Sequence, residues 1–514
     1  MSDSKQTPEK WNAEEQREQR KARLADMKSK DGGKKPIHHS SKAAKIIVAI
    51  ILIVALIGGG TWWAINVGIP QRMVTAMTVG TQKVTAAEFN FMYRSQLSYY
   101  GIDPTTEEGK STLKGAYDET FATLDDWLKD SVAIQLQQIV LLSENAKTKG
   151  LTLDAEEIES IDSFMQTIKD DAALAKQDAD TYLIANYGIG VNVDVVRGIY
   201  EKYMLGQKFS AELTESYTFT DAELQTYYDS NKDTFDVADY RTFSIAAVAA
   251  TDATAEQKTA AMAAAKVKAD EMAALITDET TFKAQCIAYA ADEAQKTAYT
   301  DADKSLVTGA YKTNVSATAE AAWLFDAARK AGDKTVIEST TGYTVLYFIN
   351  RGIADTEHMS VRHILISALK NQTDPTTDAT AEEVATAKAK ADSILAEFKA
   401  GAQTEDSFAA LATANTADTG SAATGGLYSD IFAGSGMVAE FEAWTIDPSR
   451  KNGDTGIVQT DYGFHIMYFV ANDGPEWKIS VKGTLTNDKF TAYYEEQKAL
   501  FPYTLDSFGM GFVK

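Results

Sequence analysis

Apolar residues follow three patterns along this chain. From Ile46 to Ile65 no residue is charged, and a run of about 20 largely apolar residues matches the hydrocarbon thickness of a bilayer. From Val74 to about Asp236 the period is helical: Leu128, Val132, Leu136, Ile139 and Val140 fall on one face, as do Ile158, Ile161, Met165 and Ile168. Asp154 with Glu157, and Thr220 with Glu223, have capping-box spacing and mark helix starts. Farther on the period drops to two. "VRHILI" (361–366) places Val361, His363 and Leu365 on one face of a strand, and "TDYGFHIMYF" (460–469) reads as a buried strand holding His465.

A repeat organises the second half. "AAWLFDAARKAGDKTVIESTTGYTVLYF" (321–348) parallels "EAWTIDPSRKNGDTGIVQTDYGFHIMYF" (442–469), pairing Trp323 with Trp444, Arg329 with Arg450 and Tyr347 with Tyr468, each pair 121 residues apart. The same offset joins "YRTFSI" (240–245) to "VRHILI". The chain therefore holds two tandem modules of one fold, each with a strand, several helices and two closing strands. The resulting divisions are a tail at 1–43, a transmembrane helix at 44–67, a helical region at 68–238, modules at 239–353 and 354–474, and a strand and helix at 475–514 packing on the helical region.

Charge orients the chain. Lys34, Lys35, Lys42 and Lys45 precede the apolar run, which keeps the N-terminus cytoplasmic and places the chain beyond Pro70 outside the membrane. The long tail and the lack of a small-residue cleavage site argue against a cleaved signal peptide. A net charge of −23 excludes nucleic acid as a natural partner. Cys286 is the sole cysteine, so no intrachain disulfide forms, and the protein fits a bacterial envelope, of Gram-positive type, in which domains rely on ordinary cores.

The chemistry concentrates in the second module. His363 and His465 lie on its first and last strands, whereas the first module has Thr242 and Thr344 at both positions. Met437 and Phe441 likewise become Ser316 and Glu320. One module has lost a histidine pair and an apolar surface together, which points to a function kept by the other. A metal site would need further ligands at defined spacing, and none are supplied. A hydrolase built from Ser421, His465 and Asp418 lacks a G-x-S-x-G nucleophile elbow.

The succession "VRHILI", "SFAALATANTADTGSAATGGL", "GMVAEFEAW" and "TDYGFHIMYF", spanning about 359–472, resembles the parvulin-type peptidyl-prolyl isomerases. With the anchor, helical region and C-terminal segment, the outer part is similar to the PrsA and SurA foldases. The resemblance implies an α+β multidomain protein with two tandem parvulin-like domains, each a four-stranded antiparallel sheet with helices, the first degenerate. It implies isomerisation of X-Pro bonds in unfolded or newly exported polypeptides, without a cofactor. It places the family's site residues on His363, Asp418, His465, Thr460 and Tyr462, with a proline-ring pocket of Leu427, Met437 and Phe441. The family's Gly-Gly-Asp-Leu-Gly is here "GGLYS", and no basic cluster follows "VRHILI", so phosphorylated Ser-Pro sites are not the expected substrates. Two other readings are a holdase that uses the modules as scaffold and a sheet-edge assembly module; whether two copies pair as a homodimer is left open.

Overall fold

The computed structural model describes residues 68–368 and 379–514. The tail and the expected anchor at 44–67 lie outside the described residues. No helix among the described residues is long and apolar enough to cross a membrane. The architecture is α+β with antiparallel sheets, and the chain divides into two compact units, one running to Ser210 and including Gln497–Lys514, the other Ala211–Glu496.

In the first unit, helices Ala86–Tyr99, Leu124–Thr148, Ala155–Leu174 and Val193–Glu215 begin or pack as the apolar stripes require. Capping boxes at Thr85/Glu88, Thr123/Asp126 and Asp154/Glu157 satisfy free backbone donors at three of these starts. Leu128, Val132, Leu136 and Val140 are buried against Phe89 and Tyr93, whereas Ile158, in the first turn of its helix, is exposed. The helical reading missed a small sheet. Strand β1 (Thr75–Val79) pairs with β2 (Gln82–Thr85) across Gly80 and also with β11 (Tyr503–Leu505). Its second partner is more than 400 residues away, so no local pattern announces it.

The C-terminal segment also departs from expectation. "EWKISVKGTLTNDKF", expected to open as a strand, lies within one helix, Glu476–Leu500. The β-branched residues suggested a strand, but Trp477, Val481 and Leu485, spaced by four, are the residues that pack with Leu224, Tyr228 and Phe235. Tertiary packing of a helical stripe overrides local propensity here.

The second unit contains two four-stranded sheets. The first comprises β3 (Asp236–Ala246), β4 (Leu306–Tyr311), β5 (Lys334–Ser339) and β6 (Gly342–Ile353), in the order β4-β3-β6-β5. The second comprises β7 (Glu357–Ser367), β8 (Leu427–Ile431), β9 (Thr455–Thr460) and β10 (Gly463–Pro475), in the order β8-β7-β10-β9. The topologies match, and so does the register: Thr242 opposes Leu346 and His363 opposes Met467, all shifted by the same offset. Both long pairs slip at the same place, after Asp239 in one and after Ser360 in the other. Each module also stacks an arginine on a tryptophan, Arg329 on Trp323 at 4.0 Å and Arg450 on Trp444 at 4.2 Å.

In the second module one sheet face carries Ile364, Ile366, Phe464, Ile466 and Tyr468. These pack against helices Ala381–Ala400 and Glu405–Asn415 through Ala391, Ile394, Phe398 and Phe408. Each large side chain so buried contributes about 1.5–3 kcal/mol. The opposite face is left for Val361, His363, His465 and Met467.

Gly463 (φ 134°) and its counterpart Gly342 (φ 155°) open the last strand of each module, and a Cβ there would meet the carbonyl oxygens of Ile366 or Ile245 at 2.2 and 2.1 Å. Gly463→Ala and Gly342→Ala are therefore expected to destabilise by roughly 2–4 kcal/mol each. Gly483→Ala, inside a helix with open space around it, should be neutral or stabilising by up to about 1 kcal/mol. Urea unfolding midpoints check all three, and an unchanged midpoint in Gly463→Ala would contradict the steric account.

Candidate active site

The pairing of β7 with β10 sets His465 opposite Leu365 and His363 opposite Met467, so the histidines are diagonal neighbours on one face. Diagonal positions in an antiparallel pair lie about 7–8 Å apart, within reach of aromatic rings. The imidazoles stack at 5.3 Å with their planes inclined by 17°, and their Nδ1 atoms are 3.0 Å apart. Both are buried, 4% and 5% exposed.

Asp418 enters from the loop after helix Glu405–Asn415. One oxygen, Oδ2, lies 3.0 Å from His363 Nε2, 2.5 Å from Ser421 Oγ and 3.1 Å from the Tyr428 hydroxyl; Oδ1 accepts the Gly420 N–H at 3.1 Å. Thr460, closing β9, places its hydroxyl 2.8 Å from His465 Nε2.

These contacts fix the protons. Burial by itself would raise the carboxyl of Asp418, but hydrogen bonds from Ser421, His363 and Gly420 hold it down to about 2, so it is a carboxylate and only accepts. His363 must then donate through Nε2. Burial lowers the pKa of His363 against the opposing pull of Asp418. Burial, followed by the neighbouring His363, brings His465 down to about 4. Both rings are thus neutral, His363 Nδ1 accepts from His465 Nδ1–H, and His465 Nε2 accepts from Thr460. A single direction of donation runs from Thr460 through His465 and His363 to Asp418.

The apolar part is equally defined. Phe441, fully buried in helix Ala439–Thr445, meets both imidazoles edge-on at 5.3 and 5.4 Å. Met437 is half-buried and packs in the same cluster with Val361, Val458 and Met467.

Of the residues expected from sequence, His363, His465, Asp418, Thr460, Met437 and Phe441 lie together on this face. Leu427 does not. The register sets it opposite Arg362, on the face away from the imidazoles, while Tyr428 opposes Val361 and takes the place assigned to Leu427. Tyr462 sits in the exposed turn between β9 and β10, and its backbone N–H, not its ring, meets Thr460 Oγ1 at 3.1 Å. Tyr428 was missed, and Ser421, weighed only as a nucleophile, is instead a hydrogen-bond partner of Asp418. The departure "GGLYS" held the signal for Tyr428, since alternation through that strand puts consecutive residues on opposite faces. Ser421 is 2% exposed, donates directly to Asp418 and faces a protonated nitrogen of His363, while both nitrogens of His465 are taken up by His363 and Thr460, so the Ser421–His465–Asp418 order of a hydrolase is not formed.

Residues 343–472 match the family model described as the PPIC-type PPIase domain. The second module is accordingly a parvulin-type peptidyl-prolyl isomerase domain, and the match begins in the last strand of the first module. Among solved structures, the chain is similar to the peptidylprolyl isomerase PrsA from Bacillus anthracis at 15% identity, covering 58% of this chain and 94% of that one with a TM-score of 0.19. It is also similar to a structure titled for two SurA-like chaperones of Campylobacter jejuni, at 14% identity over 55% of this chain and 83% of that one, with a TM-score of 0.17. No curated protein matches the sequence.

The lowered pKa of His465 has a consequence for stability. Between its ordinary 6.5 and about 4 the unfolded chain takes up a proton that the folded site refuses, so stability is present above 6.5 and lost as pH falls toward 4. His465→Asn, which cannot titrate, is expected to lose on the order of 2–3 kcal/mol less over that window. Unfolding midpoints at pH 7 and pH 4 measure this, and parallel losses in wild type and variant would remove the neutral assignment.

Proposed function

We propose that the chain is a membrane-anchored, outward-facing foldase whose second module isomerises X-Pro bonds, while the helical region holds non-native chains and the first module extends that surface. The observation that carries the reading is the stacked imidazole pair beside Phe441, built on a register that the first module shares but fills with threonines.

The chemistry suits the task. Rotation about an X-Pro bond faces a barrier of ~18–20 kcal/mol and takes tens to hundreds of seconds unaided. No bond is made or broken. A catalyst must bind the twisted amide, whose nitrogen has lost resonance with its carbonyl, better than either planar form. Met437 and Phe441 offer an apolar wall for the pyrrolidine ring. The Thr460 hydroxyl and the imidazole pair supply fixed dipoles where the carbonyl turns.

In a proline-peptide assay on the whole protein, His465→Ala and Phe441→Ala are each expected to lower the rate roughly tenfold or more. Normal rates in both would sink the site assignment. The competing class, a holdase, is distinguished with a His363→Ala, His465→Ala double variant. If wild type shows no isomerase rate and both proteins suppress aggregation of an unfolded client equally, the modules act as scaffold.

Anchoring rests on the uncharged run 46–65 and the lysines before it. Deleting 44–67 should release the protein from the membrane fraction of expressing cells. Retention of the deleted form would argue against a single-span anchor.

A further inference from the structure

Tyr428 makes contacts that the isomerase reading does not require. Its ring lies edge-on to His363 at 5.1 Å and to Phe441 at 6.2 Å, and its hydroxyl reaches Asp418 Oδ2 at 3.1 Å. His363, Phe441 and Ser421 are all buried, but Tyr428 is half-buried, so it presents surface to a chain entering the site.

The first module provides an internal comparison. There the residue opposite Tyr240 is Val307, as Tyr428 is opposite Val361, and the two pairs differ by the same offset as the histidine positions. The aromatic hydroxyl is therefore absent from the module that also lacks both imidazoles, Met437 and Phe441. Val307 still packs with Tyr240, Leu324 and Leu346, so the edge strand does not need a tyrosine to fold.

We infer that Tyr428 is a positioning residue of the isomerase site: its hydroxyl fixes the Asp418 carboxylate that orients His363, and its ring forms the pocket wall on the β8 side. This rests on the isomerase reading and names the group that sets its geometry. The titratable groups facing Asp418 are His363 from β7, with His465 behind it on β10, and Tyr428 from β8; Ser421 and the Gly420 N–H complete its shell from its own loop. Withdrawing the Tyr428 donor leaves more negative charge on Asp418 to favour a protonated His363. The acid limb of the rate then moves to higher pH.

The test compares Tyr428→Phe and Tyr428→Val with wild type and His465→Ala in a proline-peptide assay across pH 4 to 8, with urea midpoints recorded for each. Tyr428→Phe keeps the ring and loses the hydroxyl. It is expected to hold KM within about twofold, lower kcat roughly three- to tenfold and raise the acid limb by about one pH unit. Tyr428→Val, which copies the first module, should in addition raise KM. A purely structural role would lower the urea midpoint without moving the pH limb. If Tyr428→Phe matches wild type in kcat and acid limb while His465→Ala is slowed roughly tenfold or more, the inference falls and the isomerase reading stands. A wild-type rate in His465→Ala removes both.

Discussion

The register between β7 and β10 is the constraint on which the site depends. Odd-numbered residues from Val361 to Leu365 and from His465 to Phe469 face the imidazole side, and even-numbered ones face the helices. A slip of one residue in either strand would turn a histidine into the helix-packed core and bring an isoleucine or phenylalanine out in its place. The apolar face therefore protects the polar one: Ile364, Ile366, Phe464 and Ile466 hold the strands in the only register that buries them. Gly463 allows β10 to start close against the backbone of Ile366 and fixes where that register begins.

Duplication separates what the fold needs from what the site needs. Both modules keep the sheet order, the slip in the long pair, the arginine stacked on tryptophan and an arginine-glutamate contact behind the sheet, Arg241 with Glu279 and Arg362 with Glu405. These features belong to the architecture. The imidazoles, Tyr428, Met437 and Phe441 occur in one module only. Burying two imidazoles and a carboxylate carries a desolvation cost that the first module avoids by holding threonines at both histidine positions. In the second module the cost is met by partners, since both nitrogens of each ring and both oxygens of Asp418 are hydrogen-bonded.

The parts of this arrangement legible in the sequence are those with a short-range or repeated signature. The alternation in "VRHILI" fixed the face of His363, and the offset between copies exposed the histidine pair as a difference rather than a coincidence. Capping-box pairs such as Asp154 with Glu157 and Thr220 with Glu223 marked helix starts directly. Register across a sheet was not legible. Whether Leu427 or Tyr428 faces the histidines depends on which of them lies opposite Val361, and that is set by the glycine turn at Gly425 and Gly426, both at positive φ. The β1–β11 pairing was hidden for the same reason at greater range. In Glu476–Leu500 the local signal pointed the wrong way, because the β-branched residues Ile479, Val481, Thr484 and Thr486 outweighed a sparse helical stripe of Trp477, Val481 and Leu485.

The protonation pattern gives a physical reason to read the site as one for rotation and not for proton transfer. A general acid or base works best with a pKa near the operating pH, where it gains and loses its proton readily. Here His465 lies near 4 and Asp418 near 2, so neither changes state around neutrality. All donors point one way, toward the carboxylate, which leaves an aligned set of dipoles held by packing against Phe441. Such a set needs little reorganisation as a bound amide twists, and it has no proton to give up in doing so. An arrangement that is costly to bury and unsuited to acid-base chemistry is instead matched to a reaction whose barrier lies entirely in the loss of amide resonance.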